Sequence, residues 1–119
     1  MGKFFIRRTN TGWKFDLKAA NGETVAISEV YTTKAACLRG AASVAKNAPT
    51  APVADLTEDG TAPNPRFEIY RDKAGEYRFR LTSRNGKIIA VSEGYKTKAS
   101  CENGIASVRK NAEDAAIEE

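Results

Sequence analysis

Apolar and polar side chains alternate along two stretches of the chain, 13–18 and 77–81, with an aromatic ring or a leucine at every second position. A two-residue period is typical of a β-strand that buries one face. Each stretch leads into an Asn-Gly pair, for which we predict a type I′ hairpin turn. Together with the flanking apolar segments, the pattern predicts three antiparallel strands in each half of the chain. They lie at 3–7, 13–18 and 23–28, and at 67–71, 77–81 and 87–92.

A helical pattern follows each third strand, because apolar side chains recur there at intervals of three and four residues. They are Cys37, Ala41, Val44 and Ala48, and Cys101, Ile105, Val108 and Ala112. Thr33 and Thr97 precede the two patterns and are suitable N-caps. Gly40 and Gly104 fall inside them, where glycine costs roughly 1 kcal/mol relative to alanine. We therefore expect each helix to approach the sheet closely at its glycine.

The two halves are copies of one unit. A gapless shift of 64 residues superimposes 3–48 on 67–112, and 20 of the 46 positions are then identical. A unit of about 55 residues buries little core by itself. We therefore predict one duplicated domain over 1–119, with repeat one at 1–58, a linker at 59–65 and repeat two at 66–119.

The predicted fold class is α+β, with both repeats contributing to one shared antiparallel sheet and with two helices packed on one of its faces. Short strands after the helices, near Val53 and Ile117, would complete each repeat. The large side chains expected to be largely buried are Trp13, Phe15, Leu17, Tyr77, Phe79, Leu81, Val44 and Val108.

Two runs in the chain carry a resemblance to a known family. They are AISEVYTTKAAC at 26–37, with its counterpart AVSEGYKTKASC at 90–101, and KNAP at 46–49 followed by VADL at 53–56. In these runs the chain resembles the YegP-like family of bacterial proteins. The resemblance implies β-β-β-α-β units, arranged as tandem repeats or as a dimer of single copies, that build one sheet and exchange their C-terminal strands. It supplies no catalytic residues and no function.

Charge is distributed unevenly along the chain. The net charge is +4, made of +5 over 1–48, −3 over 49–64, +5 over 65–98 and −3 over 99–119. Mild and patchy basicity is a weak indicator of nucleic-acid binding.

Basic side chains on the polar side of the second strands, Lys14, Arg78 and Arg80, form the first candidate site. A basic sheet face with exposed rings would follow a nucleic-acid backbone and stack bases. A solvated outer sheet face is the simpler interpretation.

The start of each helix is the second candidate site. Lys34 and Lys98, with Tyr31 and Tyr95 three residues before them, would hold an anion at a helix N-terminus. A strand-to-helix corner with a capping threonine and a packed tyrosine explains the same residues, and we favour that interpretation.

Candidate catalytic chemistry is sparse. The chain has no histidine, and its cysteines, Cys37 and Cys101, lie on the apolar helix faces. We therefore predict no catalytic residues, no metal and no cofactor. We expect a small non-enzymatic binding module for nucleic acid or another polyanion, or alternatively a structural or protein-interaction domain that uses an exposed sheet edge. An enzyme is the least expected alternative. We expect it in the cytoplasm, away from membranes, as a monomer with an internal pseudo-twofold axis.

Overall fold

The structure is a computed structural model that describes residues 2–119. Each repeat forms three strands, a helix and a short last strand, in the predicted order. In repeat one these are β1 (Lys3–Arg8), β2 (Trp13–Lys18), β3 (Thr24–Ile27), α1 (Lys34–Asn47) and β4 (Val53–Asp55), followed by a 3₁₀ turn (Leu56–Glu58). In repeat two they are β5 (Phe67–Arg71), β6 (Tyr77–Thr82), β7 (Ile88–Val91), α2 (Lys98–Ala112) and β8 (Ala116–Glu118).

All eight strands form a single sheet in the order β4-β5-β6-β7-β3-β2-β1-β8. The two repeats meet at its centre, where β3 and β7 pair antiparallel through one bridge between Ile27 and Val91. These two residues occupy the same position in their repeats, 64 residues apart. A pseudo-twofold axis therefore passes between them, which confirms the shared sheet.

The last strand of each repeat belongs to the half-sheet of the other repeat. β4 pairs with β5, and β8 pairs with β1, and both pairs are parallel. The sheet is therefore antiparallel through its six central strands and parallel only at its edges. A parallel pair needs a crossover rather than a tight turn, and the connection over 56–66 supplies one between β4 and β5.

Both helices lie on one face of the sheet and cover strands from both repeats. α1 contacts β1 and β2 and also β7, while α2 contacts β6 and also β1, β2 and β3. The predicted apolar helix faces are buried, and the capping hydroxyls of Thr33 and Thr97 accept hydrogen bonds from Ala36 N and Ser100 N at 3.1 Å. Helices and strands of both repeats therefore enclose one core.

The predicted core is confirmed, with Trp13 and Tyr77 at its margin. Six of the eight predicted side chains have no exposed surface, namely Phe15, Leu17, Phe79, Leu81, Val44 and Val108. Trp13 and Tyr77 are only half-buried. They begin β2 and β6, and each ring lies beside a lysine of a helix start and an arginine of the preceding strand.

The register of the first strands corrects the gapless superposition. Phe4 pairs with Leu17, and Phe67 pairs with the equivalent Leu81, so Phe67 matches Phe4 rather than Lys3. The loop before β6 is one residue longer than the loop before β2. A one-residue slip would turn every side chain of a strand to the opposite face. Burial therefore sets the register, because it keeps the apolar side chains of both first strands on the helix face.

The predicted type I′ turns are wrong. Gly22 and Gly86 have positive φ angles, of 85° and 84°, but neither Asn21 nor Asn85 does. Gly22 N donates to Ala19 O at 2.9 Å, and Ala19 N donates to Glu23 O at 2.8 Å. This is a three-residue loop, a type I turn followed by a left-handed glycine that forms a bulge.

The exchanged strands predict that a fragment of residues 1–60 forms a dimer. Alone, the fragment leaves β1 without β8 and β3 without β7, so its three-stranded sheet has two open edges, and β4 has no strand to pair with. A second copy supplies all of these pairings through a closed twofold arrangement. Analytical ultracentrifugation with far-ultraviolet circular dichroism should show a folded species of twice the fragment mass.

A fragment that ends at residue 50 lacks β4 and is the matched control, which should be unfolded. A cooperative, monomeric 1–60 fragment at high dilution would contradict the shared sheet.

Candidate functional site

The face of the sheet opposite the helices is uncovered, and its outward side chains come from the predicted basic positions. Phe15 and Leu17 point towards the helices, so Lys14 and Lys18 point to the other side of β2. The same alternation around Phe79 turns Arg78 and Arg80 outward from β6. We call this surface the outer face, formed by the outward side chains of the eight strands.

Carboxylates hold most of the outer-face arginines in place. Arg7 bonds to Asp16 at 3.0 Å, and Arg78 bonds to Asp72 at 2.7 Å. Arg78 also donates to the backbone oxygen of Ser92 at 3.2 Å. The Arg78 hydrogen bond keeps the pKa of Asp72 below its ordinary value. These ion pairs orient the guanidinium groups and neutralise part of their charge.

Glu68 is the most buried carboxylate of the outer face and lies between two arginines. Its oxygens accept hydrogen bonds from Arg80 at 2.6 Å and from Arg66 at 2.7 Å. Burial alone would raise the pKa of Glu68, but the hydrogen bonds from the two arginines outweigh it and lower the pKa. Glu68 is therefore ionised at neutral pH and anchors Arg80, whose terminal amino groups make no hydrogen bond within residues 2–119.

Two rings lie among these cations. The Nζ atom of Lys18 is 4.8 Å from the centre of the Phe5 ring, and the guanidinium of Arg80 lies 4.5 Å from the Tyr70 ring. Phe5 was not among the predicted site residues. The sequence feature that indicates its position is the Phe4-Phe5 pair. Two successive strand residues point to opposite faces of the sheet, so one of the two rings had to face outward.

A shallow hollow of about 270 Å³ lies on the outer face where the repeats meet. Ile27 and Val91, the residues that flank the pseudo-twofold axis, contribute to its lining together with Arg78 and Glu93. The outer face thus combines cations, half-buried rings and one central depression.

Lys34 and Lys98 begin the two helices, but their charges are already paired. Lys98 Nζ lies 2.8 Å from Asp55 Oδ2 and also bonds to Glu58. Lys34 bonds to Glu119, the residue equivalent to Asp55. Each lysine thus binds the end of the strand that the other repeat contributes. The structure therefore supplies a carboxylate partner at both predicted anion sites.

Asp55 is the best-anchored member of this contact. Burial alone would raise its pKa, but hydrogen bonds from Lys98 and from both the hydroxyl and the backbone N–H of Thr57 lower it from 3.8 to about 2. Asp55 Oδ1 accepts the two bonds from Thr57, at 2.5 and 3.0 Å. The ionised form of Asp55 therefore stabilises the folded chain.

Tyr31 and Tyr95 lie on the helix side of the sheet, apart from Lys14, Arg78 and Arg80. The Tyr31 ring stacks on Phe15 with centroids 6.4 Å apart, and the Tyr95 ring stacks on Phe79 at 6.3 Å. Their hydroxyl groups lie against the helix glycines. A Cβ atom at Gly40 would be 2.3 Å from the Tyr31 oxygen, which explains why glycine occupies that helical position.

Cys37 and Cys101 are buried free thiols within the core, as their helix faces predict. Burial raises the pKa of both thiols, that of Cys101 to about 11. Both cysteines are therefore protonated at neutral pH. Within residues 2–119 no three acidic or thiol side chains are arranged to hold a metal ion, and neither helix is long and apolar enough to cross a membrane.

Two grooves on the helix side were not predicted. One lies between α1 and the β6–β7 turn, and the other lies between α2 and the β2–β3 turn. The pseudo-twofold axis relates them, and each is built from both repeats. Arg39, Lys46 and Arg84 line the first groove. The chain gives no local signal for them, because only the tertiary structure brings the helix and the turn together.

Comparison with known proteins gives a consistent result. The family described as domain of unknown function (DUF1508) matches twice, at residues 9–55 and 72–119. A UPF0339 protein of Bordetella pertussis is 40% identical over 111 residues, which cover 93% of this chain and 88% of the relative. The solution NMR structure of YegP from E. coli, a protein of unknown function, has 35% identity and a TM-score of 0.80, covering 98% of this chain and 90% of that chain.

A shorter relative corresponds to a single repeat. A UPF0339 protein of Treponema denticola is 59% identical over 54 residues, which cover 45% of this chain but 93% of the relative. The unit of duplication inferred from the sequence therefore also occurs as a separate chain.

The tyrosine-glycine contact predicts that Gly40→Ala destabilises the protein. Alanine is the better helix former by about 1 kcal/mol, but its Cβ would overlap the Tyr31 ring, which Phe15 holds in place. Overpacking of this kind costs about 1–3 kcal/mol. Urea denaturation should give a lower free energy of unfolding for Gly40→Ala, and Tyr31→Phe in the same chain should restore part of the loss.

Ala42→Gly is the matched control, because Ala42 is exposed on the same helix. It should lose about 1 kcal/mol, as helix propensity alone predicts. A Gly40→Ala variant more stable than the parent chain would refute the packing explanation.

The Asp55–Lys98 contact predicts acid sensitivity. A carboxyl group whose pKa is lower in the folded state than in the unfolded state stabilises the folded protein, fully so above the unfolded pKa. For Asp55 the unfolded pKa is 3.8, and the stabilisation is lost as the pH falls from there towards 2. Lys98→Met removes the main partner and should flatten the decline of the unfolding free energy between pH 4 and pH 2.

Lys96→Met is the control, since Lys96 carries the same charge and makes no ion pair within residues 2–119. Equal slopes for Lys98→Met and Lys96→Met would show that the contact contributes nothing. Denaturant unfolding at successive pH values measures both.

Proposed function

This chain belongs to the DUF1508 family, and we propose that it is a small non-enzymatic module that binds single-stranded nucleic acid on its outer face. The family affiliation confirms the resemblance to YegP-like proteins. The family description and the names of the relatives assign no activity. The function must therefore be inferred from the surface itself.

The observation that carries the proposal is the alternation of cations and rings across the outer face. Neither Lys14 nor Lys18 makes an ion pair within residues 2–119, and the Nζ atom of Lys18 lies over the Phe5 ring. Proteins that hold single strands without sequence preference combine a positive surface along the backbone with rings on which bases stack. Phe5 on β1 and Tyr70 on β5 supply such rings, each on the strand next to an edge of the sheet.

Arg80 supports the same interpretation. Its Nε donates to Glu68, and its guanidinium plane lies over Tyr70, so the side chain is fixed before any ligand arrives. Less conformational entropy is then lost on binding than with a freely moving arginine. Its terminal amino groups are in position to donate to a phosphate, and paired N–H bonds of that kind are among the strongest hydrogen bonds in proteins.

Lys34, Lys98, Tyr31 and Tyr95 do not belong to this proposed site. They hold the exchanged strands or pack beside the helices, on the other side of the sheet. The proposed site consists of Lys14, Lys18, Arg78 and Arg80 with the rings of Phe5 and Tyr70. We place the function in the cytoplasm, because the two cysteines are free and a reducing compartment keeps thiols free.

Strand addition at a sheet edge has weaker support. The edges, β4 and β8, are three residues long, and Pro52 precedes β4. Short edges and proline are the devices by which proteins block pairing with another chain. Val53 and Ile117 are exposed there, at 39% and 50%, but each is a single apolar side chain.

The proposal predicts salt-dependent binding of a single-stranded oligonucleotide that is lost in Lys14→Ala/Lys18→Ala. Each phosphate contact on a single strand contributes about 0.7 to the slope of log affinity against log salt. The double variant should therefore bind at least tenfold more weakly at about 50 mM salt and show a slope shallower by about 1.4. Fluorescence anisotropy with labelled oligonucleotides measures both quantities.

Lys96→Ala/Lys110→Ala is the control with equal loss of charge, because Lys96 precedes the N-cap of α2 and Lys110 lies in its last turn, on the opposite side of the sheet. It should leave oligonucleotide binding within twofold of the parent chain. Equal weakening by the two double variants would mean that net charge alone attracts the oligonucleotide, and absence of binding at low salt would remove the proposed function.

A further inference from the structure

We propose that the groove between α1 and the β6–β7 turn is a binding site for an oligophosphate, a small ligand in which several phosphates are linked in a chain. We call it the cationic groove, after Arg39, Lys46 and Arg84, which line it together with Ser43, Asn47 and Asn85. Its volume is about 640 Å³. The groove is wide and open, so its cations are accessible to a ligand from solvent.

The charges of this groove have no partner. Arg39, Lys46 and Arg84 make no ion pair, hydrogen bond or ring contact within residues 2–119, and the lining contains no carboxylate. Seven of the nineteen Lys and Arg side chains share that property. They are Lys14, Arg39, Lys46, Lys73, Arg84, Lys96 and Lys110. Three of the seven line this groove, where their combined positive potential attracts an anion.

The second groove, which we call the twin groove, is an internal control for the role of these charges. Its volume is about 460 Å³, and it keeps the equivalents of Ser43, Lys46, Asn47 and Asn85. The other two cations are replaced, since Asn103 stands in place of Arg39, and Ala20 in place of Arg84.

The shared residues explain the frame of both grooves. Asn47 donates to Ser43 at 3.1 Å in α1, and Asn111 makes the same 3.1 Å bond to Ser107 in α2. The fold thus forms the twin groove without either arginine. Folding therefore does not require arginine at either position. Arg39 and Arg84 raise the number of cations in the cationic groove from one to three.

The arrangement of the cations selects the class of ligand. Arg39 and Lys46 are seven residues apart on one helical face, which separates them by about 10 Å along the axis. Arg84 lies across the groove on the turn. A chain of phosphates, which carries its charges along a line, matches cations spread over this distance better than one phosphate does. Guanidinium groups bind phosphate oxygens in pairs, and the Ser43 and Asn85 side chains add neutral hydrogen-bonding groups.

Isothermal titration calorimetry at low salt tests the site with inorganic triphosphate, ATP and inorganic phosphate as probes. We expect one triphosphate per chain and at least tenfold weaker binding of inorganic phosphate. ATP that binds as inorganic triphosphate does would indicate recognition of the phosphate chain alone, and tighter ATP binding would indicate a nucleotide ligand. No saturable binding of either triphosphate would overturn the proposal.

Arg39→Asn/Arg84→Ala gives these two positions of the cationic groove the residues that the fold accommodates in the twin groove, and only Ser83, in place of Ala19, still differs between the two linings. It should weaken triphosphate binding at least tenfold with an unchanged midpoint of thermal unfolding. Lys14→Ala/Lys18→Ala removes equal charge from the outer face and should leave triphosphate binding unchanged. Equal weakening by the two variants, or none by the first, would overturn the assignment.

The converse substitutions, Asn103→Arg with Ala20→Arg, give the twin groove all three cations. The number of triphosphates bound per chain should rise from one to two, and a ratio that stays at one would contradict the assignment of binding to these charges. The outcome is independent of the proposed function, because oligonucleotide binding on the outer face responds to Lys14 and Lys18 instead.

Discussion

Each repeat gives its last strand to the other repeat, so that β4 lies along β5 and β8 lies along β1. Each half-sheet lacks its outermost strand until the other repeat supplies it. A strand of three residues has too few hydrogen bonds to be stable on its own, and the exchange is secured at both ends by Lys98 with Asp55 and by Lys34 with Glu119. The two repeats are therefore one folding unit, with the symmetry axis at the bridge between Ile27 and Val91.

The same exchange determines which surfaces remain available. Both helices pack on one side, where they enclose the core, so the opposite side of the sheet carries only strand side chains. The lysines at the helix starts are used to hold the exchanged strands. The cations that have no such partner within residues 2–119 include Lys14 on the outer face and Arg39, Lys46 and Arg84 in the cationic groove.

Duplication within one chain also separates structural residues from those with another role. The core phenylalanines, the stacked tyrosines and the helix glycines occur in both repeats, and in each repeat they make equivalent contacts. The paired serine and asparagine near the end of each helix behave in the same way. Arg39 and Arg84 have no counterpart, and the fold tolerates their replacement in the other repeat. A difference between two copies of one scaffold is where a specific function is expected, since the scaffold itself does not require it.

Strand periodicity, the apolar helix faces, the threonine caps and the core were determined by the sequence alone, because each depends on neighbouring residues or on a regular period. The outward direction of Lys14, Arg78 and Arg80 follows from the same alternation. Only the tertiary structure decided the one-residue offset of the first strands, the turn that places Gly22 rather than Asn21 in the left-handed region, and the carboxylate partners of Lys34 and Lys98. It alone created the grooves, because Arg39 and Arg84 are brought together by packing between repeats, and no local pattern in a chain records which distant residues its packing will make neighbours.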